Sequence, residues 1–167
     1  MENQFGRGVL MTPDSNLFVE TAKNYCQLIE KIENNNPNWL SEVNSLLPRL
    51  HAAIAAHGWL ASDSSLPFDV DLEARFELFS KLHKILGEQD AYWMEFDVAH
   101  DDQHKSGSLA DDLTDIYCEL KHGLALLDAE QDQGSIFSNW RKGYRLHWGK
   151  HLVDAERHLY ELTTQSQ

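Results

Sequence analysis

The sequence predicts an all-α fold: a single-domain bundle of about five helices, mostly up-and-down, with a Pro-kinked second helix and a long C-terminal helix. Three observations predict it. Apolar residues recur at helical spacing over five separate stretches, no stretch of useful length alternates apolar and polar residues, and the connections are short and polar. Of 167 residues, 42% are hydrophobic and 10% aromatic, against four Pro and nine Gly. That is enough core-forming material for one self-supporting domain and too much for a disordered chain. The domain is read as spanning 1–167, with residues 1–11 as a flexible N-terminus and 163–167 as a frayed end.

Helix one opens at Thr12 and Pro13, an N-cap followed by a proline at the first helical position. Leu17, Phe18, Tyr25, Leu28, Ile29 and Ile32 follow at helical spacing, and the Asn-rich stretch from Asn34 to Asn36 ends it. Asn36 and Pro37 repeat the signal for helix two, whose stripe is Trp39, Leu40, Val43, Leu46, Leu47, Leu50 and Ile54, running toward Gly58. Pro48 lies within that stripe and is expected to kink or divide the helix.

From Ala61 to Val70 the composition shifts to Ser, Asp and Pro, which marks a loop. Leu72, Phe76, Phe79, Leu82 and Leu86 define helix three, stopped by Gly87. Between Ala91 and Lys105 the residues Tyr92, Trp93, Met94 and Phe96 crowd too closely for a helical face, and a packed irregular connection is expected. Ser108 with Asp111 forms a capping box in which Asp replaces the usual Glu. Leu109, Leu113, Ile116, Tyr117, Leu120, Leu124 and Leu127 then carry helix four. After a polar turn from Asp128 to Gly134, helix five holds one stripe from Ile136 through Trp140, Tyr144, Trp148 and Leu152 to Leu162, with Gly143 and Gly149 as soft points.

The formal charge of -13 sets up a field that repels phosphate backbones, which argues against a general nucleic-acid binder. No run of about 20 apolar residues offers a membrane span. Residues Met1 to Thr12, with Glu2 and Arg7, lack the apolar stretch of a secretory signal, so a cytoplasmic location is expected. Cys26 and Cys118 fall in separate helices without paired spacing and are read as reduced thiols.

Phosphate loops, nucleophile elbows, zinc-finger spacings and zincin motifs are all missing from the sequence. What remains is a set of carboxylates and histidines. Asp111, Asp112, Asp115 and Glu119 start helix four, where acids also suit the positive helix end. On a helical wheel Asp112 and Glu119 border the apolar stripe, whereas Asp111, Asp115, Cys118 and His122 lie toward the opposite face. On helix five His147, His151, Asp154 and His158 project along one side, and two His one turn apart can grip one ion. A His near the apolar centre line, as His151 is, more often belongs to the core and donates to a carbonyl or carboxylate.

Packing of helices four and five would set Asp112 or Glu119 against His147 or His151, as ligands, an acid-base couple or a buried hydrogen bond. The candidate metal ligands are therefore Asp112, Asp115, Glu119, His147 and His151. Asp111, Tyr117 and Trp148 join them as members of a site or of a packing cluster. The loop residues His100, Asp101, Asp102 and His104 are a weaker candidate. Trp39, Trp140, Trp148, Tyr25, Tyr117 and Tyr144 fall on apolar stripes and are read as core, which leaves Trp59 and Trp93 freer.

The stretch Ser108 to Tyr117, SLADDLTDIY, followed downstream by His147, Trp148, Gly149, Lys150 and His151, resembles a bacterial domain-of-unknown-function family with a similar acidic helix ahead of a His-Trp-Gly-x-His helix. The resemblance implies an all-helical bacterial protein and carries no catalytic or binding role with it. Two functions stay open, the first as the main reading and the second as its alternative. One is a non-catalytic interaction or accessory protein, whose acidic surface docks on a basic partner or self-associates. The other is a metal-dependent hydrolase of a small phosphorylated or amide substrate, with a divalent metal held by helix-four carboxylates and helix-five histidines.

Overall fold

The computed structural model describes residues 11–33, 36–56, 68–94 and 105–165. Its helices are α1 (Pro13–Glu30), α2 (Trp39–Ala56), α3 (Leu72–Leu86), α4 (Leu109–Asp128), α5 (Gln133–Gly143) and α6 (Gly149–Gln165). Helix α4 is the centre of the bundle, packed by α1, α3, α5 and α6, while α2 closes the far side against α1 and α6.

Local chemistry sets the ends as the sequence predicts. The Thr12 hydroxyl caps α1 by accepting from the Ser15 amide, with Pro13 in the first turn. Gly87 stops α3 with φ +54°, a left-handed value that favours glycine. Ser108 caps α4 by accepting from the Asp111 amide. Helix α2 departs from its predicted start: Asn36 accepts from the Asn38 amide in a turn, Pro37 stays outside the helix, and α2 begins at Trp39. Pro48 sits inside an undivided α2, where it lacks the N–H that would reach back to Asn44. Helix α6 continues through the expected frayed end as far as Gln165.

Phe18, Tyr25, Val43, Leu47, Leu113, Ile116, Trp140, Trp148 and Leu152 form the heart of the core. The Tyr25 hydroxyl donates to the Leu113 carbonyl and ties α1 to α4 inside it. Helix α3 departs from its predicted stripe. Leu82 and Leu86 are buried, but Leu72 and Phe76 lie exposed because only the C-terminal half of α3 reaches the core. Tyr117 and Tyr144 are packed on the edge of the core, and Trp93 is exposed, as its freer reading implies.

Two features correct the sequence reading. The expected irregular connection contains two short antiparallel strands, β1 (Ala91–Met94) and β2 (Lys105–Ser108), with Tyr92 opposite Gly107. Tyr92 is buried and Trp93 exposed, the two-residue alternation of a strand. The Tyr92 ring covers Gly107, where a Cβ would stand 2.1 Å from it, so the glycine marks a close approach. The predicted fifth helix is α5 and α6 joined by a π-helical segment, Tyr144–Trp148, bounded by Gly143 and Gly149.

Residues 1–10, with Glu2 and Arg7, lie outside the described residues, as do Asn34, Asn35, Gly58, Trp59, most of the Ala61 to Val70 loop, and Phe96. So does the cluster of His100, Asp101, Asp102 and His104.

Candidate metal centre

Asp90, from the turn before β1, accepts from the Ala110 amide at 2.6 Å and from the Ser108 hydroxyl at 3.0 Å, and its backbone carbonyl takes the Leu109 amide. It is itself buried. Ser108 and Asp90 therefore satisfy the start of α4, and the acids that follow are free for other partners. That arrangement runs against the plain capping role for the Asp111 to Asp115 run.

Asp112 is 3% exposed and faces α6. Its Oδ1 lies 2.7 Å from His151 Nδ1, and its Oδ2 accepts the Tyr92 hydroxyl at 2.5 Å. The hairpin thus exists in part to aim Tyr92 at this carboxylate. Asp115, which a helical wheel assigns to the outer face, is 7% exposed. The wheel reports the apolar moment of one helix and is blind to α3, which covers this side. Arg75 of α3 donates through Nε to Asp115 Oδ1 at 2.8 Å and through Nη2 to Asp111 Oδ1 at 2.8 Å.

The other oxygen, Asp115 Oδ2, points at both histidines. His151 Nε2 is 3.2 Å away and His147 Nε2 3.8 Å. One donor atom from each of Asp115, His147 and His151 lies within 4.8 Å of the others. The outer nitrogen of His147, Nδ1, is 3.2 Å from Glu119 Oε1. The two imidazoles meet edge to face with centroids 5.0 Å apart. The backbone that sets this up is the junction of the π segment, which carries His147, with α6, which carries His151.

Four carboxylates, those of Asp111, Asp112, Asp115 and Glu119, surround one guanidinium and two imidazoles. The hydrogen bond to Asp112 holds the His151 pKa above its ordinary value against the opposing effect of burial, and burial raises Asp112 and Glu119. His151 therefore stands between two acceptors. If Nδ1–H donates to Asp112, the Nε2 lone pair faces Asp115 at 3.2 Å, and that contact is favourable only with a proton or a cation between them. A tetrahedral ion with bonds of about 2.0–2.1 Å sets its donors roughly 3.3 Å apart, close to the 3.2 and 3.8 Å found here.

The His151 and Asp112 shifts give the metal-free protein the same pH trend. The His151 contribution is fully present below the unfolded value of 6.5 and is lost as pH rises through the raised folded value. Asp112, also raised, costs stability once it ionises, in the same direction. Thermal denaturation of chelator-stripped protein from pH 5 to pH 8 should therefore show a falling midpoint, with a shallower fall in His151→Gln; parallel curves would rule out this account of His151.

The remaining candidates fall elsewhere. The Tyr117 hydroxyl donates to Glu30 on the α1 side, where Lys121 also reaches. Trp148 is core, its indole donating to the Trp140 carbonyl. His158 Nε2 donates to the Gln89 carbonyl, and its ring lies against Tyr92. Both cysteines are free, and burial pushes Cys118 up to about 11 and Cys26 up to about 12, which leaves them protonated thiols and poor ligands. Sequence reasoning missed Arg75 and Tyr92, which reach the site from α3 and β1. Gly107, an isolated glycine opposite a tyrosine, is the one local signal that pointed to the second.

A family model described as "Domain of unknown function (DUF5063)" matches residues 11–165. Among solved structures, the crystal structure of protein BF1032 from Bacteroides fragilis, a Northeast Structural Genomics Consortium target, matches with a TM-score of 0.72 at 20% identity. The match covers 90% of this chain and 92% of that one, and at such identity it shows the fold alone. No curated protein matches. No described helix is long and apolar enough to cross a membrane.

Proposed function

The chain belongs to the DUF5063 family, whose description assigns no activity, and from the geometry of its own residues we propose that it is a metal-dependent hydrolase with one divalent transition-metal ion at Asp115, His147 and His151. The observation that carries this reading is the convergence of those three donors, each with its other polar atom already engaged: Asp115 by Arg75, His147 by Glu119 and His151 by Asp112. Outer partners of this kind fix the tautomer and orientation of metal-bound histidines and raise their basicity.

Two imidazoles and one carboxylate suit zinc, iron, cobalt or manganese better than magnesium or calcium, which want oxygen donors. Three protein ligands leave coordination positions for water and substrate. His147 keeps 49% of its side chain exposed, so that side is open to solvent. A divalent ion there would lower the pKa of bound water toward neutrality and polarise a substrate carbonyl or phosphoryl group. Of the five ligands expected from sequence, this reading keeps three in contact with the ion and assigns Asp112 and Glu119 to orienting the histidines. Docking on a partner rests on overall acidity, whereas the metal reading rests on a convergent donor set among the described residues.

The test is elemental analysis of untagged protein, followed by stripping and reloading with Zn, Mn, Fe(II) or Mg. The expected result is about one equivalent of a transition metal. Saturation at 100 times the dissociation constant adds about 2.7 kcal/mol of stability, roughly 5–10 °C for a chain of this size. Less than about a tenth of an equivalent, with no thermal shift for any of the four ions, would remove the metal and the hydrolase together.

A further inference from the structure

A cavity of about 290 Å³ opens beside the metal donors, and His147 and Glu119 form part of its wall. We propose that it holds the apolar acyl or aryl group of the substrate, and that the substrate is a small uncharged amide rather than a phosphate ester. This inference rests on the metal reading above.

The cavity lies between α4, α5 and the π segment, and its apolar wall includes Leu126, Ile136 and Trp140. Its size is roughly twice that of the 150 Å³ apolar cavity known to take up benzene, so one ring plus a short linker fits. Asn139 and Lys142 also line it, giving polar contacts to orient the group. The His122 Nε2 atom on the same wall is buried without a hydrogen-bond partner, so an occupant with a polar edge would satisfy it.

The lining decides between the two substrate classes. It carries one carboxylate, Glu119, and one lysine, Lys142, in an otherwise mostly apolar wall, so a doubly charged phosphate entering it gives up far more hydration than a neutral amide does. An amide carbonyl is neutral and needs only the ion as Lewis acid. The reaction forms a bond from the water oxygen to the carbonyl carbon and breaks the carbon–nitrogen bond. Both water protons end on the leaving amine, giving a carboxylate and an ammonium.

Three probes test this on zinc-loaded protein by calorimetry: benzohydroxamate, which joins a metal-binding head to a ring; acetohydroxamate, which has the same head and a methyl group; and phenylphosphonate. Benzohydroxamate should bind about tenfold or more tighter than acetohydroxamate, and phenylphosphonate more weakly than benzohydroxamate. Leu126→Trp, which grows into the cavity, should erase the ring preference and leave acetohydroxamate unchanged. Asn139→Trp serves the same purpose if Leu126→Trp does not fold. Equal affinity for the two hydroxamates, or a ring preference that survives both substitutions, overturns the cavity assignment while the metal reading stands. Tighter binding of phenylphosphonate overturns the substrate class. A protein that takes up no zinc defeats both readings at once, which separates that failure from the others.

Discussion

His151→Ala is expected to abolish stoichiometric metal uptake, with an affinity loss above the 10–100-fold that follows removal of an outer-shell partner. The substitution takes away one of three donors, and it also removes the imidazole that relays the Asp112 charge toward the ion. Asp112 is left buried with the Tyr92 hydroxyl as its remaining partner, and loss of the imidazole that opposes burial pushes its pKa further above the ordinary value, which eases neutralisation of the buried carboxylate. The fold should therefore persist. His147→Ala should act in the same way, with a smaller effect on stability because that ring is half exposed. Asp112→Asn and Glu119→Gln, which keep an acceptor oxygen toward the histidines but lose the charge, should weaken binding about 10–100-fold. Competition of each variant with a chromophoric chelator, beside a circular-dichroism melt, reads both quantities. If Asp112→Asn loses as much as His151→Ala, then Asp112 touches the ion and the wider ligand set expected from sequence is the right one. If both histidine variants keep a full equivalent, no metal centre exists here.

How much of this was legible follows from which forces act within one helix and which act between helices. The i, i+4 spacing of His147 and His151 and the position of Asp112 and Glu119 beside the apolar stripe are properties of single helices, and the structure does set Asp112 against His151 and Glu119 against His147. A helical wheel puts Asp115 on the outer side because it assumes that the face away from the apolar stripe meets water. Helix α4 is surrounded, and Arg75 of α3 supplies the countercharge that makes burial of Asp115 tolerable. Arg75 and Asp115 are 40 residues apart, and nothing local links them. Strand β2, Lys-Ser-Gly-Ser, has neither β-branched nor aromatic residues. Its pairing is fixed by Tyr92 packing over Gly107, a contact across the sheet. The π segment was visible only as two glycines in a long helix, because its cause is a backbone hydrogen bond one residue longer than the helical one.

That longer bond makes Gly149→Ala a damaging substitution. The Gly149 amide donates to the Tyr144 carbonyl, five residues back. A Cβ at Gly149 would stand 2.2 Å from that carbonyl oxygen and 2.8 and 2.9 Å from the Tyr144 ring. The ring can rotate, but the oxygen belongs to the π turn itself, so the turn must open or revert to an α-helix. Reversion removes one residue of slack, about 100° of phase, and that rotates His147 relative to His151 and both relative to Asp115. The expected cost is about 2–3 kcal/mol, or roughly 5–10 °C in melting temperature, together with loss of metal binding. Gly143→Ala at the other end of the segment is the control. Its Cβ would meet the Glu119 Oε2 atom at 3.0 Å and the Trp148 ring at 3.1 Å, side-chain atoms that need to give by only a few tenths of an ångström. The gain in helix propensity, up to about 1 kcal/mol, offsets that crowding, so its melting temperature should stay within a few degrees of wild type. Melting curves and metal titrations of the two variants decide the matter. A Gly149→Ala protein that melts with wild type and binds a full equivalent would show that the π turn does not hold the donor set in place.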